Sequence, residues 1–166
     1  MRARRNAVLV FALCCAACAT SQEGRTPPPA PSQPATGSRI ALDVLKRHDP
    51  ETDWDGKSLL HADLDLDGVE DYALTGLRKD RFVVGIVHGP IAEDSRVWTL
   101  DFPWNGGEDA LCSKHAKIAL ESLAENEGIK PGHPGKGTGI NLHDDLCDAF
   151  HIYWNADEQK FEWWRL

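Results

Sequence analysis

The sequence predicts an α+β domain: a small, mostly antiparallel sheet built of hairpins, with one or two helices and one disulfide. Three observations carry this expectation. Apolar runs of strand length outnumber runs of helical period, the strand-like runs come in pairs around short polar turns, and two cysteines remain in the folded part. With 166 residues, 42% of them apolar, the chain has room for one compact domain, placed at 39–166.

The N-terminus reads as an address. Residues 1–22, MRARRNAVLVFALCCAACATSQ, give three arginines, an apolar run from Ala7 to Leu13 and then small residues. That is the layout of a secretory signal, and the run is far short of the ~20 apolar residues that span a bilayer. Cys18, preceded by Ala16 and Ala17, resembles the lipobox of bacterial lipoproteins, with Cys15 where that family usually has Leu. The resemblance implies a signal peptide at 1–17 and a lipidated Cys18. Ala19 is not the Asp associated with inner-membrane retention, so it also implies an outer-membrane lipoprotein facing the periplasm or the surface. Cleavage after Ala17 or Ala19 by an ordinary signal peptidase is the alternative. Residues 19–38 hold five of the ten prolines and no large apolar side chain, so 18–38 reads as a lipidated cysteine followed by a disordered, extended spacer.

The domain opens near Ser38. SRIALDVLKRHDP sets Ile40, Leu42, Val44 and Leu45 on a helix-compatible face, with Ser38 as N-cap and Pro50 as stop. Ser58–Leu64 and Asp71–Leu77 read as strands; Arg78, Lys79 and Asp80 turn the chain, and RFVVGIVHG answers as the hairpin partner. Residues 96–102, RVWTLDF, form another strand, ended by Pro103 and the Asn105-Gly106-Gly107 turn. Between 108 and 127, Ala110, Leu111, Ile118, Ala119, Leu120 and Leu123 fit helical spacing better than alternation. A helix is expected there, followed by a loop, GIKPGHPGKGTG. Ala149–Trp154 alternates, Asn155–Lys160 turns, and Phe161–Leu166 returns.

Charge and cysteine usage narrow the functional classes. Eighteen Lys plus Arg stand against 26 Asp plus Glu, a formal net charge of −8 that becomes −11 once Arg2, Arg4 and Arg5 leave with the signal. A phosphate backbone is held by clustered basic residues, so nucleic acid is not an expected partner. With Cys14, Cys15 and Cys18 in the signal and its cleavage point, only Cys112 and Cys147 remain, without a CxxC pair. In an oxidising compartment they most simply form one disulfide, worth roughly 3–4 kcal/mol in the chain-entropy picture.

One motif carries chemistry. Residues 63–71 read Asp-Leu-Asp-Leu-Asp-Gly-Val-Glu-Asp. Carboxylates two residues apart on a tightly curving loop can converge on one hard cation such as Ca²⁺, which takes oxygen ligands at ~2.3–2.6 Å. Asp63, Asp65 and Asp67 would give side-chain oxygens, Val69 its carbonyl and Asp71 the closing carboxylate, with Gly68 at the sharp turn. An EF-hand needs Glu at the twelfth position, where Leu74 stands, so the loop is not of that type. The nine-residue form, continued by DYAL before a hairpin, resembles the calcium loops of FG-GAP and VCBS repeats. The Gly or Asn common there before the central Asp is absent. The resemblance covers roughly 58–88, one repeat, and implies a calcium-holding connection between two strands of a blade. Without tandem copies a propeller is not expected. An echo at Glu51, Asp53, Asp55 and Gly56 lacks a closing Asp and reads as an ordinary turn. Four Asp within nine residues repel one another, which a bound cation or extensive solvent would relieve.

Other motifs fall short. GKGTG lacks the spacing of a phosphate loop, and the seven histidines form neither HExxH nor HxH. His143, Asp144 and Asp145 are adjacent, point to opposite faces of an extended segment, and read as polar surface. His151 alternates with core positions and reads as a half-buried strand histidine. Trp154, Trp163 and Trp164 read as hairpin packing, with sugar stacking as the sharper alternative.

These observations lead to an expected non-enzyme: a membrane-tethered, calcium-stabilised binding or structural module of the bacterial envelope, with an envelope protein or glycan as partner. The alternative is a periplasmic inhibitor of a secreted or host hydrolase of the lysozyme kind, to which an acidic surface would be attracted.

Overall fold

The computed structural model describes residues 33–104, 106–107, 109–123 and 137–165. The signal, Cys18, the spacer up to residue 32 and most of the loop after residue 123 lie outside the described residues. Among the described residues the fold is α+β: one helix and eight strands, arranged as two four-stranded antiparallel meanders in the orders β1-β2-β3-β4 and β5-β6-β7-β8.

Helix α1, Gln33–His48, starts inside the stretch expected to be a spacer. Proline lacks only a donor that the first turn leaves unused, so Pro34 does not prevent it, and Ser38 is an interior residue rather than the cap. Lys46, Arg47 and His48 fill the last turn, where cations complement the helix dipole. Ala41, Val44 and Leu45 bury against Trp54, Leu74, Val83 and Val87 on one face of the first sheet.

That sheet comprises β1 Asp53–Ala62, β2 Asp71–Arg78, β3 Arg81–Val87 and β4 Val97–Pro103. Of the acidic echo expected to be a turn, Glu51 lies in a turn, while Asp53, Asp55 and Gly56 belong to the first half of β1. Asp53–Asp55 pair with Leu77–Thr75, and the register slips between Asp55 and Leu60. The slip is a bulge in which Ser58 Oγ accepts the Thr75 N–H at 2.8 Å. β3 is buried at every position after Arg81, because α1 covers one face and the second sheet the other.

The second sheet comprises β5 Lys117–Ser122, β6 Thr138–His143, β7 Phe150–Asn155 and β8 Lys160–Arg165. The helix expected over 108–127 is therefore absent from its described part. Lys117–Ser122 pairs antiparallel with His143–Thr138, and Ala110, Leu111 and Leu123 are buried outside regular structure. Leu64, Ala73, Phe82, Val84, Ile86 and Phe102 of the first sheet and its loop meet Ile140, Leu142, Phe150, Ile152, Trp154 and Phe161 of the second in a single core. Cys112 and Cys147 are disulfide-bonded, with Cα atoms 6.0 Å apart and a sequence separation of 35. Asp144, expected on the surface, is buried between the same two segments. Trp154 and Trp163 pack into the core as expected, while Trp164 stacks on His151 at 4.0 Å. Among the described residues no helix is long and apolar enough to cross a membrane.

Candidate metal centre

The Asp-rich loop joins β1 to β2, and its shape is set by its own side chains. The backbone is left-handed at Leu66 (φ 66°) and Gly68 (φ 89°), which curls the chain back on itself. Amides inside the curl then bond carboxylates: Asp65 Oδ1 accepts from Asp67 N (3.2 Å), Asp63 Oδ2 from Gly68 N (3.1 Å) and Asp67 Oδ1 from Val69 N (2.7 Å). Such Asx contacts hold alternate carboxylates on one side of the loop. Asp63, Asp65 and Asp67 thus each offer an oxygen within 4.8 Å of the other two.

Asp71 has a different situation. It is 1% exposed. Its Oδ2 accepts the Leu64 N–H at 2.9 Å, and its Oδ1 accepts the Gly89 N–H at 3.0 Å and lies 3.1 Å from His88 Nδ1. The other ring nitrogen of His88, Nε2, lies 3.2 Å from Asp65 Oδ2. His88 therefore bridges the two carboxylates, and Asp65, Asp71 and His88 form a second group of donors that shares Asp65 with the first.

The balance of charge in this cluster is poor. The Asp65 side chain is 8% exposed. Burial pushes its carboxyl above the ordinary value, the Asp71 charge adds to the push, and His88 opposes it. Asp63 Oδ1 is buried with no hydrogen-bond partner. A carboxylate oxygen removed from water without a donor is costly, and a cation on that side of the loop would relieve it. The donor set and the orphaned oxygen together fit a bound divalent ion.

Sequence reasoning identified the loop and missed His88. A signal did exist in the hairpin: β2 and β3 pair Arg78 with Arg81 and Tyr72 with Val87, so one further step sets His88 beside Asp71. Elsewhere, His151, expected to be half-buried, is buried at 8% exposure and meets Glu121 at 2.9 Å, while His143 and Lys117 both approach the exposed Asp145. No protein-family model, curated protein or solved structure matches this chain.

Proposed function

We propose that this protein is a non-enzymatic, membrane-tethered module of the bacterial envelope whose loop 63–71 holds Ca²⁺ and uses it to stiffen the β1–β2 connection. Asp63, Asp65 and Asp67 supply side-chain oxygens, Val69 its carbonyl, and Asp71 the closing carboxylate. The observation that carries the reading is the orphaned, buried Asp63 Oδ1 in a loop where Asp63, Asp65 and Asp67 each offer an oxygen within 4.8 Å of the others. The tether rests on the arginines, the apolar run and the Ala16-Ala17-Cys18 sequence. An ion bound only by the folded state adds RT ln(1 + [L]/Kd), about 2.7 kcal/mol at a hundredfold excess over Kd.

Thermal melting during a Ca²⁺ titration tests the stiffening role. Calcium is expected to raise the melting temperature, Asp67→Ala to abolish the rise, and Mg²⁺ to substitute poorly because it demands octahedral geometry and dehydrates reluctantly. Neither binding heat nor a shift at millimolar Ca²⁺ would reduce the loop to a charged turn. For the tether, the intact mass of membrane-extracted protein is expected to show a diacylated or triacylated Cys18.

A further inference from the structure

We infer that the groove between α1 and the start of β2 is a binding site for a small organic cation, an amine or quaternary ammonium carried on an apolar body. It lies beside loop 63–71 and uses none of the four Asp carboxylates of that loop.

The helix leaves part of the first sheet uncovered. Ile40 of α1, Tyr72 of β2 and Ile91 after β3 pack against the helix–sheet core yet stay partly exposed, and together with Val69 they line a cavity of about 770 Å³. That volume is in the range of small-molecule sites, and contiguous apolar surface left open to water is the usual mark of a binding surface. Two glycines bring its walls together. A Cβ at Gly37 would collide with the Tyr72 hydroxyl, and one at Gly89 with the Glu70 carbonyl and, at 2.7 Å, with Val69 Cγ1. The helix therefore seats directly on the Tyr72 ring, and the chain after β3 seats on the loop, so the hollow is held by packed walls.

The polar groups then select the ligand. The described lining carries one carboxylate, Glu70, and no lysine or arginine. Glu70 is the one acid of segment 63–71 outside the proposed calcium set. Its side chain is 64% exposed, Oε1 lies 3.4 Å from His61 Nδ1, and Oε2 has no partner among the described residues. His61 pairs with Tyr72 across β1 and β2, and their rings stand 6.2 Å apart at a tilt of 34°. A carboxylate at the rim beside two aromatic rings suits a cation, which gains from Coulomb attraction and from the face of the phenol ring. An anion would meet Glu70 with no lysine or arginine in the lining to offset it. Asp63, Asp65, Asp67 and Asp71 on the same loop make the field over the rim more negative, and one Ca²⁺ would reduce their charge without reversing it.

The test is a titration of the full chain in calcium-free buffer with benzyltrimethylammonium as probe, followed by methyl NMR of Ile40, Val69 and Ile91. Saturable shifts of these methyls are expected, which localise the probe in the wild type without any variant. Tetramethylammonium, which lacks the apolar body, should bind about tenfold more weakly or worse. Benzyl alcohol and phenylmethanesulfonate, which lack the positive charge, should both bind more weakly than the probe. Glu70→Gln should weaken the probe about two- to fivefold, as for an exposed ion pair, and Tyr72→Leu by a similar factor, as for an exposed cation–π contact. Asp94→Asn, the same charge change outside the lining, should leave the affinity unchanged. Should Tyr72→Leu fold poorly, the probe series on the wild type and the exposed Glu70→Gln decide. Unmoved methyls, equal binding of the sulfonate, an unchanged affinity in Glu70→Gln, or an equal loss in Asp94→Asn each overturns the assignment. None of these outcomes bears on calcium binding, which the melting titration reads.

Discussion

Asp144 shows how one buried carboxylate can organise a junction. Its Oδ2 accepts the N–H groups of Cys112 (2.6 Å) and Ser113 (2.8 Å), and its Oδ1 those of Leu146 and Cys147 (both 3.1 Å). Burial pushes the carboxyl up, but the four backbone donors outweigh it and hold Asp144 below the ordinary carboxylate value. The sign of the pH dependence follows. A group whose folded pKa is depressed stabilises fully above its unfolded value of about 3.9, and that stability is lost as pH falls through the lower native value. Asp144→Ala is expected to cost on the order of 3 kcal/mol near neutral pH, since four donors lose a charged acceptor. In urea unfolding the gap to wild type should narrow as the solution is acidified below the unfolded value. A gap that stays constant through that range would mean that shape, not charge, holds the junction.

At the scale of elements, the same junction is clamped twice. The Cys112–Cys147 disulfide joins the segment before β5 to the β6–β7 turn, the same two stretches that Asp144 gathers. Cys112→Ser is expected to lower stability by about 2–5 kcal/mol. Combined with Asp144→Ala, the loss should be non-additive, because the two clamps restrain the same segments; strict additivity in the double variant would show them to be independent. Helix α1 makes a second element-level case. A Cβ at Gly85, in the middle of β3, would sit 2.6 Å from both Leu45 Cδ2 and Trp54 Cη2, closer than side chains tolerate. Gly85→Ala should therefore push α1 off the sheet at a cost of about 1–3 kcal/mol, and a neutral or raised melting temperature would refute that packing. The elements also show what the sequence could and could not reveal. β2, β3, β4, β7 and β8 were legible because their apolar runs are short and bounded by turn residues. β5 was not: it is an edge strand exposed at most positions, with Leu120 44% exposed. Buried residues in irregular chain on either side, Ala110, Leu111 and Leu123, completed a false helical period. The helix start was hidden for the opposite reason, since Pro34 and small residues look like spacer until the first turn is seen to tolerate them. The Asp loop is local and was readable. His88 comes beside the Asp cluster only through strand register, and Asp144 is buried only through contacts that span more than thirty residues of chain.

Across the whole molecule, the two meanders share a core, so neither sheet can keep its buried face without the other. Phe102 of β4 stands 4.8 Å, centroid to centroid, from Phe150 of β7 and 5.9 Å from Trp163 of β8, and Trp98 meets the edges of Trp154 and Phe161 at 5.7 and 6.2 Å. Such tilted and edge-on pairs add about 0.5–1.5 kcal/mol each beyond burial, and here each of them crosses between the sheets. A core contributed by both sheets predicts one cooperative transition rather than sequential loss of two halves. Phe102→Ala removes a ring that is 1% exposed, and is expected to cost about 3–5 kcal/mol. The informative measurement is native-state hydrogen exchange in wild type and variant. The slowest amides of β2 and β3 and those of β6 and β7 should open with the same free energy in the wild type, and the substitution should lower both by the same amount. If the β6–β7 amides keep their wild-type protection while those of β2–β3 lose theirs, the sheets fold as separate units, and an ion in loop 63–71 would then stabilise only the first of them.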